Sequence, residues 1–162
     1  MTVDRTAIEA LYRSHGHIVL RRARMLLGSE TDAQEALQEV FASLLRSPEA
    51  VRNKSSIVAW LYRATTHFCL NQLRNLRTGA RLLESRAPAP QRETDATHVE
   101  APADLRRVMA LLAADVAAAV VYHYLDGMTH AEVAELLGCS RRQVGYLLER
   151  ARESLARAEQ SA

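Results

Sequence analysis

The side chains best suited to recognition chemistry cluster near the C-terminus: Ser140, Arg141, Arg142, Gln143, Tyr146 and Arg150. An arginine fork donates two hydrogen bonds to one guanine, and a glutamine amide pairs with adenine. A tyrosine offers its ring to a thymine methyl group or a sugar, and its hydroxyl to a phosphate. Spacing places these groups outside one helix. Val144, Leu147, Leu148, Ala151 and Leu155 recur at helical intervals, leaving Arg142, Tyr146, Glu149 and Glu153 opposite. The surrounding stretch, GMTHAEVAELLGCSRRQVGYLLERARESL from Gly127 to Leu155, supplies the frame. Thr129 and Glu132 have capping-box spacing, Val133, Leu136 and Leu137 give a short helix an apolar face, Gly138 stops it, and Ser140 caps the next. Two such helices joined by a turn of about three residues predict a helix-turn-helix, whose second helix enters the major groove. An ordinary antiparallel helix pair with a solvated outer face would share the stripe. The agreement of turn, caps and cationic start favours DNA.

A second set of cations lies upstream. From Ala50 to Leu83 the chain carries Arg52, Lys54, Arg63, Arg74, Arg77 and Arg81 and no Asp or Glu. A solvated helix face normally interleaves acids with bases for i,i+4 pairing. An acid-free helix and loop with embedded aromatics fit a polyanion better. From Val108 to Ser140 the sign reverses, with Asp115, Asp126, Glu132 and Glu135 and no Lys or Arg. The net charge of +2 is too small to argue nucleic acid alone; its distribution does so.

Other chemistries find no residues to carry them. Cys69 and Cys139 form no CxxC pair, and histidines 15, 17, 67, 98, 123 and 130 have no zinc-ligand spacing with them, so no metal and no cofactor is expected. No phosphate-cradling loop or nucleophile triad is present, which argues against an enzyme. No apolar run reaches transmembrane length and the N-terminus lacks a signal-peptide core, so the expected location is the cytoplasm.

The elements that position these groups are helical. Ala, Leu, Arg and Glu dominate, and 48% hydrophobic with 25% charged residues is a globular balance. Periodicity predicts a helix from Asp4 to Leu27, with Tyr12 and His15 among its apolar positions and Arg21, Arg22 and Arg24 set against the dipole of its end. A second helix runs from Asp32 to Arg46, burying Ala36, Leu37, Val40, Phe41, Leu44 and Leu45 and turning Glu35, Gln38 and Glu39 outward. A basic loop from Glu49 to Ser56 precedes a long helix from Ile57 to about Leu83. Residues 85–102 hold three of the four prolines and no aromatic residue, and read as a flexible or extended linker. Beyond it come helices over Ala103–Leu112 and Asp115–Leu125, the second burying Val116, Val120, Val121 and Tyr124. The expected fold is all-α: two small helical domains, 1–84 and 103–162, joined by that linker.

These parts in this order resemble a bacterial extracytoplasmic-function (ECF) sigma factor, and the resemblance covers nearly the whole chain. DAQEALQEVF resembles the family's region 2.2 motif, WLYRATTHFCLNQLR its region 2.4, and GMTHAEVAELLGCSRRQVGYLLERAR its region 4.2. The resemblance implies that Asp32, Glu35, Gln38 and Glu39 dock on core RNA polymerase. It implies that Arg52, Asn53, Lys54, Ser55, Arg63, His67 and Arg74 meet the melted −10 strand, with Asn53, Lys54 and Ser55 lining a pocket for a flipped base. Ser140, Arg141, Arg142, Gln143, Tyr146 and Arg150 would read the −35 element of promoter DNA. An anti-sigma factor is an implied partner. Val144, Gly145, Tyr146 and Leu147 stand where the family commonly has VKSR, and Thr66 and His67 where it has Arg-Asn. Two rival readings stay open at this point. One is a sigma mimic that binds an anti-sigma factor without reading DNA; the other is a stand-alone repressor with a single helix-turn-helix.

Overall fold

The computed structural model describes residues 5–49, 56–82 and 103–161, and its regular elements are helical. In the first half, α1 spans Arg5–Leu27, α2 Glu30–Arg46 and α3 Ile57–Leu82. In the second, α4 spans Ala103–Leu111, α5 Ala114–Val120, α6 His130–Leu137 and α7 Arg141–Gln160. A π-helical turn, Val121–Leu125, follows directly on α5. The linker at 85–102 and the loop carrying Arg52, Asn53, Lys54 and Ser55 lie outside the described residues.

Local chemistry sets the helix ends. Ser29 caps α2, its hydroxyl accepting from the Asp32 amide at 3.3 Å. Ser56 accepts likewise from Ala59 at the start of α3. Between α1 and α2, Gly28 sits at φ +61°, and a Cβ there would come within 2.6 Å of the Arg106 guanidinium reaching over from α4.

The first half packs α1, α2 and α3 around Val19, Leu37, Val40, Phe41, Leu44 and Leu61. Leu45 is 54% exposed, contrary to its expected place in the buried stripe. Successive helical positions turn by about 100°, which sets Leu44 in the middle of the buried stripe and Leu45 past the edge that Phe41 marks. Tyr12 is also exposed and meets Phe41 only edge-on, with centroids 5.1 Å apart.

The second half corrects one expectation in register. The predicted helix through Leu125 is α-helical only as far as Val120. The π turn then adds a residue per turn, and Asp126 N donates to Val121 O at 3.0 Å. The rotation brings Val121 and Tyr122 inside and turns Tyr124 out, so Tyr124, expected to be buried, is 53% exposed. Leu155 likewise reaches solvent, because no residue of α7 beyond Ala151 is buried.

The two halves do not stand apart. A single apolar cluster runs from Ala23, Leu26 and Leu27 of α1 and Cys69, Leu70 and Leu73 of α3 to Met109, Val116, Val120 and Tyr122, and on to Val133, Val144 and Leu148. Charge crosses the same seam. Arg22, 5% exposed, donates from both terminal nitrogens to the two carboxylate oxygens of Asp126, each at 2.8 Å. Its Nε donates to Thr66 Oγ1 at 2.7 Å, and its guanidinium carbon lies 4.4 Å from the Tyr62 ring centroid and 5.5 Å from that of Tyr122. Each of the three nitrogens of that fork thus donates to an acceptor. Deleting one member of such a buried pair costs about 3–5 kcal/mol, whereas replacing both with apolar groups is near neutral.

Candidate nucleic-acid and polymerase interfaces

The helix-turn-helix forms as its residue types dictate. Thr129 accepts from the Glu132 amide at 3.2 Å while Glu132 Oε2 accepts from the Thr129 amide at 2.7 Å, a complete capping box. Gly138 ends α6 at φ +69°, ψ +36°, a left-handed geometry that a side chain resists. Ser140 caps α7 through the Gln143 amide at 3.1 Å. Val144, Leu147, Leu148 and Ala151 are buried beneath.

That seating leaves Arg141, Arg142, Gln143, Tyr146 and Arg150 exposed together on the outer face of α7. Gly145 lies between them with open space where a Cβ would stand. The Arg150 guanidinium carbon sits 5.9 Å from the centroid of the Tyr146 ring, one turn away. Arg152 is turned aside: it donates to the Tyr124 hydroxyl at 3.1 Å and to Glu149 at 3.0 Å. Those bonds, the one to Tyr124 foremost, stabilise its protonated form. The first turn of α7 contains no acid, so its cations stand unneutralised at the helix start.

On α2, Glu35 and Gln38 are exposed, and Asp32 and Glu39 are partly so. All four point away from the buried face formed by Ala36, Leu37, Val40 and Leu44. Glu39 pairs with Arg46 on the surface.

On α3 the candidate −10 residues divide. His67 is exposed and shares a 3.3 Å hydrogen bond with Asn71. Arg63 instead donates to the Leu136 carbonyl of α6 at 3.4 Å, and Arg74 Nε to the Leu112 carbonyl at 3.2 Å. Trp60, Arg63, His67 and Asn71 face Asp115 and Tyr122 across a cleft of about 460 Å3. The other members of the set, Arg52, Asn53, Lys54 and Ser55, lie outside the described residues. Sequence reasoning missed the burial of Thr65 and Thr66, both fully enclosed. Each bonds back to its own helix, to Leu61 O at 2.6 Å and Tyr62 O at 2.8 Å. It also missed Arg22, which periodicity marks only as a cation near a helix end.

Neither cysteine is placed for chemistry. Burial pushes the Cys69 thiol up to about 12. Cys139 is half-buried in the turn before α7. Among the described residues no helix is long and apolar enough to cross a membrane.

Comparison with known proteins agrees with this layout. Residues 11–78 match the family model for sigma-70 region 2, and residues 103–155 that for sigma-70 region 4. The ECF RNA polymerase sigma factor SigM of Mycobacterium tuberculosis is 31% identical over 155 residues, covering 95% of this chain and 78% of SigM. SigE of Mycolicibacterium smegmatis, another ECF RNA polymerase sigma factor, is 28% identical, covering 91% of this chain and 59% of SigE. Among solved structures, the sigma factor RpoE of Bartonella quintana, crystallised with the anti-sigma factor NepR, shares the fold. Its TM-score is 0.50 at 18% identity, covering 92% of this chain and 96% of RpoE. With both sigma regions in order and a relative of this identity along nearly its whole length, the chain belongs to the ECF family of RNA polymerase sigma factors.

Proposed function

We propose that the chain binds core RNA polymerase through α2, captures the −10 strand through α3 and the loop before it, and reads the −35 element with the outer face of α7. The observation that carries this reading is the exposed, acid-free start of α7 on a fully capped helix-turn-helix, with Arg142 and Tyr146 one turn apart. Groups at the start of a recognition helix enter the groove first and contact base edges. Asp32, Glu35, Gln38 and Glu39 supply the acidic and amide groups for docking on the polymerase. Arg63, His67 and Arg74 supply charge for phosphates, each neutralised phosphate releasing counterions. Arg52, Asn53, Lys54 and Ser55 supply the pocket for an extruded base, whose stacking and edge hydrogen bonds offset an unstacking cost of a few kcal/mol.

The role is that of a non-enzymatic initiation factor working in the cytoplasm, in three units: 1–84 for the polymerase and the −10 element, 85–102 as linker, and 103–162 for the −35 element. The fold likeness to a sigma factor crystallised with an anti-sigma factor supports a similar inhibitor for this chain. The acid-free block from Ala50 to Leu83 favours this reading over a mimic that never meets DNA.

Strand opening tests it. With core polymerase from the native host, this chain should make −10 thymines reactive to permanganate on host promoter fragments, and core alone should not. Ala at both Asn53 and Lys54 should impair that opening more than duplex binding. Thymines left unreactive with the wild-type chain would count against the −10 assignment.

A further inference from the structure

We propose that Glu149 reads a cytosine of the −35 element, and that Tyr124 aims it there through Arg152. This rests on the reading of α7 as the −35 face.

Glu149 is exposed on the side of α7 opposite its buried stripe, in line with Arg142 and Tyr146. It follows Tyr146 by three residues and Arg142 by seven. Seven residues advance a helix by about 10 Å, at about 1.5 Å each. That distance is roughly three base steps of about 3.4 Å. A recognition helix seated in the major groove contacts successive bases over such a span. The base edge that suits a carboxylate is cytosine, whose N4 amino group donates into that groove.

An acid on a face that meets phosphates is repelled unless a cation stands beside it. Arg152 is that cation. Its Nη1 donates to Glu149 Oε2 at 3.0 Å. Its Nη2 donates at 3.1 Å to the hydroxyl of Tyr124, 28 residues back and on another element. An ion pair confined to one helix surface loses entropy to hold two long side chains in one geometry. Here the guanidinium is held at both ends. Glu149 Oε2 is thereby fixed, and Oε1 is left without a partner among the described residues. Glu153, the next acid on this face, pairs with Arg157 at 3.9 Å, within its own helix.

The π turn is what brings Tyr124 to this place. Its extra residue turns Tyr122 inward and Tyr124 outward. His123 braces the Tyr124 ring edge-on, with centroids 4.8 Å apart, and its own Nδ1 donates to the Met128 carbonyl at 2.7 Å. Met128 N in turn donates to Tyr122 O at 3.0 Å. Contacts thus run without a break from the turn before α6 to the carboxylate of Glu149. Tyr124 acts through Arg152, as a positioning residue.

The test is selection from a library of randomised −35 elements, transcribed by core polymerase from the native host with wild type, Glu149→Gln or Tyr124→Phe. Wild type should select cytosine at one position, about tenfold over other bases and about three base pairs from the position that Arg142→Ala relaxes. Glu149→Gln should move that preference to adenine, the base a glutamine amide pairs with, and leave the other positions alone. Tyr124→Phe removes only the hydroxyl. It should cut the cytosine preference about threefold, at unchanged helix content and with the rest of the selected sequence intact, because an oriented contact loses discrimination when its carboxylate is freed. A merely structural loss would weaken all positions together. Glu149→Gln that leaves every base preference unchanged, even while tightening binding to all sequences, would mark Glu149 as a solvated acid and overturn the proposal. An undiminished cytosine preference with Tyr124→Phe would overturn the aiming role. If Glu149→Gln changes nothing while Arg142→Ala still relaxes its own position, the −35 reading stands without Glu149. If wild type selects no −35 sequence, that reading falls and the role of Glu149 falls with it.

Discussion

Tyr146 and Arg150 stack one turn apart on the exposed face of α7, the guanidinium carbon 5.9 Å from the ring centroid. In the proposed reading Arg150 lies farther along the helix and meets backbone, while Arg142 stands at the end that enters the groove first.

Arg142→Ala should therefore relax preference at one or two −35 positions, since a bidentate base contact discriminates by about 1–3 kcal/mol. Arg150→Ala should weaken binding to all sequences alike and flatten the salt dependence, the behaviour of a phosphate contact. A library of randomised −35 elements transcribed with each variant separates the two. An unchanged selected sequence with Arg142→Ala would remove that residue from base reading.

The exposed face of α2 gives a second expectation. Gln38 and Glu39 contribute nothing to the buried side of the helix, and the surface pair of Glu39 with Arg46 is worth about 0–1 kcal/mol. Ala at both should leave thermal unfolding nearly unchanged and weaken binding to core polymerase by about tenfold, the scale of one interface hot spot. An unaltered affinity in a pull-down titration would take α2 off the docking surface.

Much of this layout is legible in the sequence, and the divide is physical. Caps and stripes are local: Thr129 with Glu132, Gly138 and Ser140 act within a turn of where they stand, so spacing alone finds them. The π turn leaves no comparable mark, because VVYHYL satisfies an α-helical period equally well. Sequence reasoning accordingly buries Tyr124, where the structure buries Tyr122. The contact of Arg22 with Asp126 is invisible for another reason. An arginine near a helix end already has a local explanation in the helix dipole, and nothing in the chain announces a partner 104 residues on. The closure of the two halves over one apolar cluster was hidden in the same way, since each stripe looks complete within its own half.

Burial of Cys69 sets a pH dependence. Its thiol is pushed up to about 12 in the folded chain, while an unfolded cysteine ionises near about 8.5. Below the lower value both states hold the proton, and stability is unaffected. As pH rises through the window to about 12, the unfolded state alone loses it, and stability falls. Burial raises the Tyr122 phenol as well, and acts with the same sign. Urea titrations between pH 8 and 11 should show the decline. Cys69→Ala should make it shallower by about 1.4 kcal/mol per pH unit above about pH 9.5. Equal slopes for the two proteins would contradict the burial.

Run-off transcription bears most directly on the central claim. Purified chain is added to core RNA polymerase from the native host, on a template carrying a host promoter selected by pull-down with this chain. Initiation should occur at one position only when the chain is present, and should be lost when either the −35 or the −10 element is scrambled. A folded, monodisperse chain that binds core but yields no promoter-specific transcript would contradict the account and leave a sigma-like fold that does not read DNA.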